Sequence, residues 1–281
     1  MLVPKALKII LHKVHYLVAL TKRGAVFLYH RLRGESIYTN RYHHDSGVNF
    51  FVPNLRSFER ARYAHQKEPI TRRFISDIPD GATFWDIGSN IGVFGILAAK
   101  RGIRTVCFEP LASNYFALSK NVELNPATFD RIVIVPLALT NASGVETLYC
   151  PTTEAGYSGV QFGRTVDERG NEFRAQVKIN LLGMSGSAVN EVLPHGFRDP
   201  THIKLDVDGI ELEILHGLGP LLSSANLRAV LVEVNLGVEQ NLAAITQLMS
   251  QNGLFNHPKD REQTVLGHRN ASCFNYIFRR A

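Results

Sequence analysis

Carboxylates stand in this 281-residue chain where apolar runs end, and glycines follow at once in the turns. Asp86 lies in the run Thr83–Ile87 and is followed by Gly88, Asn90 and Gly92; Glu109 follows the next apolar run, Thr105–Phe108. A strand that enters a helix through a glycine turn lets the backbone approach a ligand and leaves unpaired N–H groups at the helix start. In an open parallel sheet, ligands bind beyond the carboxyl ends of the strands. Asp86, Gly88, Asn90, Gly92 and Glu109 are therefore the expected cofactor-binding residues. A dinucleotide fingerprint requires G-x-G-x-x-G, but Gly88 and Gly92 are three residues apart, and Asn90 stands where the second glycine would admit a pyrophosphate. A carboxylate repels a pyrophosphate, whereas S-adenosylmethionine brings an ammonium and a sulfonium. Glu109 is placed to accept from both ribose hydroxyls. The implied cofactor is S-adenosylmethionine.

A second set of acids follows the run His202–Val207. Methyl transfer is an in-line displacement, so the acceptor atom needs alignment and, where it is poorly nucleophilic when neutral, a base. Asp206 is the first candidate for base or acceptor-orienting residue, with Asp208 beside it. Glu233, amid Leu and Val in the run ending at Asn235, is the third, because a carboxylate there is costly unless partnered. Lys204 precedes Asp206 by two residues and can pair with it on one strand face. Asp208 and Glu211 also suit the first turn of the following helix, near its positive end. His216 is a lesser base candidate. Three acids at one edge suit Mg²⁺, but nothing in the spacing demands a metal, and none is assigned. The histidines form no HxxxH or HxH site; His43 and His44 read as surface residues.

Short apolar runs alternate with helical stretches from Thr83 onward. Strands are expected at Thr83–Ile87, Thr105–Phe108, Ile132–Leu139, His202–Val207 and Ala229–Val234, and a last one at Cys273–Arg279. Helices are expected at Ile91–Lys100, Ala112–Asn125, Gly209–Leu222 and Glu239–Gln251. The fold class is α/β: a doubly wound, mostly parallel Rossmann-like methyltransferase sheet with one antiparallel edge strand and an N-terminal helical extension. An insertion at about 144–182 reads as a hairpin, Val145–Tyr149 with Gln176–Leu182, joined by a mobile loop. The domains are a basic extension, 1–67, and the main domain, 68–281. Residues 1–80 hold 14 Lys+Arg against 6 Asp+Glu, net +8; the other 201 residues hold 17 against 19, net −2. Apolar residues in 5–33 fit one or two amphipathic helices. These either pack on the main domain with a solvated basic face, rest on an anionic membrane surface, or bind a partner. No run of 18 apolar residues, no secretory signal and three scattered cysteines point to a cytoplasmic protein, peripheral to the inner membrane face if the helix binds lipid.

Asp86–Gly92, Phe108-Glu109-Pro110, Asn121-Val-Glu-Leu-Asn125 and Ile203-Lys-Leu-Asp-Val-Asp-Gly-Ile-Glu211 resemble the successive motifs of FkbM-type methyltransferases, and Glu68-Pro69-Ile70-Thr71 is similar to their usual lead-in. The resemblance spans about residues 68–255. It implies an S-adenosylmethionine-dependent O-methyltransferase acting on a hydroxyl of a sugar, glycan, glycolipid or polyketide-type small molecule. Ser89 and Asp208 stand where the family often has Ala and Glu. The extension and the insertion carry no family motif and are the expected seat of acceptor choice. Competing readings are a nicotinamide oxidoreductase, opposed by Asn90 and the lack of a Tyr-x-x-x-Lys relay; a scaffold without catalysis, opposed by the complete cofactor motif; and a nucleic-acid methylase, opposed by the slightly acidic main domain.

Overall fold

The computed structural model describes Ala25 and residues 41–44, 46–166, 172–235, 239–263 and 273–281. The helices expected over residues 5–33 lie outside the described residues apart from Ala25. The first described elements are a hairpin, β1 (Arg41–His43) and β2 (Asn49–Phe51), and the helices α1 (Leu55–Lys67) and α2 (Pro69–Ser76). Then come β3 (Thr83–Ile87), α3 (Val93–Lys100), β4 (Arg104–Phe108), α4 (Ala112–Glu123), β5 (Ile132–Val135) and β6 (Ala138–Thr140). The insertion holds β7 (Gly144–Cys150), β8 (Gln161–Phe162) and β9 (Val177–Ser185), and α5 (Gly186–Val192) follows. The chain ends with β10 (His202–Leu205), α6 (Glu211–Leu218), α7 (Pro220–Ser223), β11 (Ala229–Asn235), α8 (Glu239–Gln251), β12 (Leu254–Gln263) and β13 (Cys273–Arg280).

The main sheet has the order β12-β13-β11-β10-β3-β4-β5. β5, β4, β3, β10 and β11 are parallel, and β13 runs antiparallel to both of its neighbours. The one antiparallel strand expected at the edge is thus second from it, because β12 pairs outside it. Pro136 interrupts the run expected as one strand at 132–139, and its halves join different sheets, β5 the main one and β6 a small one of order β6-β9-β7-β8. Gly219 (φ 52) and Pro220 likewise divide the helix expected over 209–222 into α6 and α7.

Strand alternation sorts the core into two layers. Trp85, Ile87, Phe108 and Leu205 pack with Ile214 and Leu215 of α6, Met249 of α8 and Leu148 and Phe162 of the small sheet. Phe84, Cys107 and Leu231 pack on the other face with Phe58 of α1, Phe74 of α2, Ile96 of α3, Leu118 of α4 and Phe50 of the hairpin. Residues 41–67 therefore share a core with the main sheet. Two asparagines of the Asn121–Asn125 motif do the docking. Asn125 accepts from Asn49 N–H (2.9 Å) and donates to Asn49 C=O (2.7 Å), so one side chain pairs with β2 as a strand backbone would. Asn121 accepts from Phe51 N–H (2.5 Å) and donates to Ile91 C=O (2.7 Å), joining β2 to the turn after β3. His43 is exposed as expected, but His44 is buried, with its Nδ1 beside the Ser46 hydroxyl at 2.8 Å and its ring edge-on to Phe50. Cys107 and Cys150 are buried free thiols. Among the described residues, no helix is long and apolar enough to cross a membrane.

Candidate cofactor cleft and active site

The turn after β3 is held between two strand ends. Gly88 and Ser89 donate backbone N–H bonds to Phe108 C=O, at 3.1 and 3.0 Å, and Asp206 N–H donates to Ile87 C=O at 3.1 Å. Gly88 has φ +80, and a Cβ there would lie 2.0 Å from the Asp206 carbonyl oxygen, so only glycine fits. Asn90 also takes a left-handed backbone (φ 53), which asparagine tolerates; its Oδ1 accepts from Ile91 N–H at 3.0 Å. Gly92 starts α3 against Leu118.

Glu109 is only 5% exposed. Its carboxylate accepts from Asn90 N–H (2.8 Å), Leu111 N–H (2.9 Å) and Asn114 Nδ2 (3.4 Å). Burial pushes its pKa up to about 7, although those bonds favour the charged form. Glu109, Gly88 and Asn90 line an open cleft of about 1250 Å³, whose apolar wall includes Leu137, Leu139, Leu148 and Phe162. Asp206, Asp208 and Glu233 line it too, so these acids and Glu109 open into one cavity.

Asp86 and Gly92 do not line the cleft. Asp86 is 1% exposed and lies under α3, where a Cβ on Gly95 would be 3.2 Å from its Oδ2. Parallel pairing sets Asp86 beside Lys204 on the neighbouring strand. Lys204 Nζ, itself 2% exposed, is 3.6 Å from Asp86 Oδ1 and 2.7 Å from Asp206 Oδ2. Burial lowers the Lys204 pKa, but Asp206, Asp86 and Glu68 more than reverse it and hold the ammonium charged. Burial raises Asp86 and Lys204 only partly restores it, leaving its carboxyl above the usual range. Burial also raises Asp206, but Lys204 outweighs it and leaves that carboxyl below the usual range. Asp206 further shares a hydrogen bond with Glu233, at the end of the adjacent strand. The Lys204–Asp206 pair expected from their spacing is present. Its extension to Asp86 is a consequence of strand register.

The stretch expected to be a mobile loop is tied down over its residues 155–162. Tyr157 C=O accepts from Asn90 Nδ2 (2.7 Å) and Asn114 Nδ2 (2.9 Å), Gly156 N–H donates to Asn114 Oδ1 (2.7 Å), and Gly159 N–H donates to Asp208 Oδ2 (2.6 Å). Gln161 Nε2 reaches Asp208 C=O at 2.7 Å. Asp208 therefore ties this strap to the strand end. Glu211 is the first residue of α6 and accepts from Gly209 N–H at 3.2 Å, the helix-start role expected of it. His216 is exposed on α6 and does not line the cleft. No metal-binding group of acids, histidines and cysteines occurs among the described residues.

Two residues of the cleft were not among the expected site residues, although Glu68 opens the Glu68–Thr71 lead-in. Glu68 falls between α1 and α2, where Pro69 forces the first helix to stop, and Arg60 lies two turns earlier on α1. Both line the cleft beside Asp206. Glu68 accepts from Thr71 Oγ1 at 3.0 Å, and Arg60 Nε donates to Gly156 C=O at 2.6 Å.

A parallel sheet with its next-to-last strand reversed, a glycine turn after β3 and a buried acid after β4 define the class of S-adenosylmethionine-dependent methyltransferases. The cleft can accommodate that cofactor: it has a buried acid after β4, an apolar wall, and charged groups of both signs, Asp206 and Glu68 with Arg60. The model of the methyltransferase FkbM domain matches residues 86–254, more than half of the sequence, and the chain belongs to that family. It is 26% identical over 207 residues to the hexuronic acid methyltransferase AglP of Haloferax volcanii, covering 73% of this chain and 76% of that protein. It is 27% identical over 164 residues to the methyltransferase sdnD of Sordaria araneosa, covering 51% of this chain and 63% of the relative. The crystal structure of a methyltransferase FkbM from Methylobacillus flagellatus KT aligns with a TM-score of 0.41 at 17% identity, over 69% of this chain and 43% of that one. The chain is a methyltransferase, and its cofactor is S-adenosylmethionine.

Proposed function

We propose that the protein transfers a methyl group from S-adenosylmethionine to a hydroxyl of a sugar, glycan or glycolipid. The observation that carries this reading is the carboxylate group at the ends of β10 and β11, where Asp206 and Glu233 share a hydrogen bond and open into the same cleft as Glu109. When bound, the cofactor supplies an electrophilic methyl on a sulfonium. Asp206 orients the acceptor hydroxyl and takes its proton as the oxygen attacks, and Glu233 holds Asp206 and shares that proton. Asp208, bound to the strap, shapes the acceptor side. Glu109 holds the ribose, and Gly88 and Asn90 let the backbone close on the cofactor. Asp86 and Gly92 act one layer below, Asp86 by fixing Lys204 and so Asp206, Gly92 by seating α3.

The hexuronic acid methyltransferase relative, matched over most of both chains, supports a carbohydrate acceptor. Acceptor choice is assigned to the extension, 1–67, and the insertion, about 144–182; among their described residues, Arg60, Leu148, Tyr157 and Phe162 line the cleft. The deciding experiment is transfer of labelled methyl from S-adenosylmethionine to polysaccharide and lipid fractions of the host's cell envelope. Label in a carbohydrate-bearing fraction is expected. Label confined to carbohydrate-free small molecules would favour a polyketide-type acceptor instead.

A further inference from the structure

A second cleft lies beside the first, over the turn after β3 and the start of α3. The two share one wall: Arg60, Glu68, Gly88, Asn90 and Asp206. We propose that Arg60 and Glu68 hold the amino-acid end of S-adenosylmethionine, Arg60 taking its carboxylate and Glu68 its ammonium. With the ribose at Glu109 in the first cleft, the amino-acid arm leaves the sulfur across this shared wall. That arm is a zwitterion, and the shared wall offers it a guanidinium from within α1, Arg60, and a carboxylate from the break between α1 and α2, Glu68. Lys67 and Arg56 add positive charge on the second cleft's wall. Asp206 and Glu59 are the other acids there, but Lys204 at 2.7 Å already satisfies Asp206, and Glu59, unlike Glu68, does not lie on the wall that the two clefts share. Glu68 is rigidly placed: its N–H bonds to Ala64 C=O (2.9 Å), its C=O accepts from Arg72 N–H (3.1 Å), and Pro69 fixes the turn. Segment 55–68, which precedes the family match, then completes the cofactor site.

Binding pH supplies a second signature. Thr71 from α2, Arg60 from α1, and Lys204 and Asp206 from β10 and the residue after it face Glu68. Burial and then Asp206 push its pKa up to about 7, against Lys204. A bound ammonium favours the ionised carboxylate, so affinity rises with pH through 7, about tenfold between pH 6 and pH 8.

Calorimetric titration of the full chain separates the two ends of the cofactor. S-adenosylhomocysteine keeps the amino-acid arm; 5′-methylthioadenosine keeps only adenosine and sulfur. Glu68→Gln and Arg60→Met are expected to weaken S-adenosylhomocysteine tenfold or more and methylthioadenosine less than twofold, with partial recovery in Glu68→Asp and Arg60→Lys. In the unsubstituted protein, only S-adenosylhomocysteine should show the extra tenfold pH dependence. Equal weakening of both ligands, or neither, overturns the proposal. Should a variant fail to fold, equal pH dependence of the two ligands in the unsubstituted protein overturns it. No acceptor is present, so the outcome is independent of which molecule is methylated.

Discussion

Lys204→Met is the most demanding perturbation of the site. The ammonium is 2% exposed and lies between Asp86 and Asp206, 1% and 28% exposed. Methionine preserves the length of the side chain and removes only the charge. Breaking a buried pair by deleting one partner costs about 3–5 kcal/mol, because the remaining charge is left uncompensated. A domain has only about 5–15 kcal/mol in total. The loss depends on pH with a definite sign. Without Lys204 both carboxyls are pushed above their unfolded values, so the folded variant holds extra protons and loses stability as pH rises through that range. The deficit against the unsubstituted protein is therefore smaller at pH 5 than at pH 8. Adding Asp86→Asn removes the deeper stranded charge and should restore about half of the loss. Urea unfolding followed by circular dichroism, extrapolated linearly to water at pH 5 and pH 8, measures all of this. A deficit under about 1 kcal/mol at pH 8, or no recovery in the double variant, would refute the assignment of Lys204 as the charge that makes buried Asp86 and half-buried Asp206 tolerable together.

Gly88→Ala should destabilise by about 3 kcal/mol or more, because its Cβ meets a backbone oxygen. Gly81→Ala has nearly the same φ (+78) but nothing within 4 Å, and should cost only about 1 kcal/mol in the same assay. Glu109→Gln should weaken S-adenosylhomocysteine at least tenfold by calorimetry, as expected for loss of hydrogen bonds to a charged acceptor worth about 1.5–3 kcal/mol. Because the folded Glu109 pKa is raised to about 7, that group's contribution to stability is present below its unfolded value and lost as pH rises to 7. Ligand-free Glu109→Gln should therefore gain on the unsubstituted protein by on the order of 3 kcal/mol between pH 4 and pH 8, read by urea unfolding. Asp206→Asn should lower kcat about 10² to 10⁴-fold while S-adenosylhomocysteine affinity changes less than threefold.

The parallel core was readable because buried strands are short apolar runs bounded by Gly and Pro, as in Thr83–Ile87 and Ala229–Asn235. β12 was not anticipated, since most of Leu254–Gln263 is polar and includes Pro258. An edge strand tolerates both, and its register shifts between Asn256 and Arg261. Missing it put the reversed strand at the edge. In the site, Glu109 and the Gly88 turn were legible because their chemistry is local: a strand end followed by a turn. Asp86 was read as facing the ligand, but strand alternation turns it under α3, and only the register with β10 reveals its partner. Glu68 and Arg60 carry no periodic signal in a mixed polar stretch. The Glu68-Pro69 helix break and the Glu68–Thr71 lead-in marked Glu68 but gave it no role, and the nearness of both residues to Asp206 is a tertiary fact. The strap was legible only as composition, since its bonds run to Asn90, Asn114 and Asp208 from far along the chain.

The central claim is methyl transfer to a carbohydrate oxygen at the Asp206 edge of the cleft. Its most direct test is mass spectrometry of envelope carbohydrate after incubation with labelled S-adenosylmethionine and either the unsubstituted protein or Asp206→Asn, before and after mild alkali. The predicted result is label retained through alkali as a methyl ether on a sugar hydroxyl, reduced at least a hundredfold in initial rate by Asp206→Asn. Absence of label, release of label as methanol by alkali, or equal rates from both proteins would contradict it.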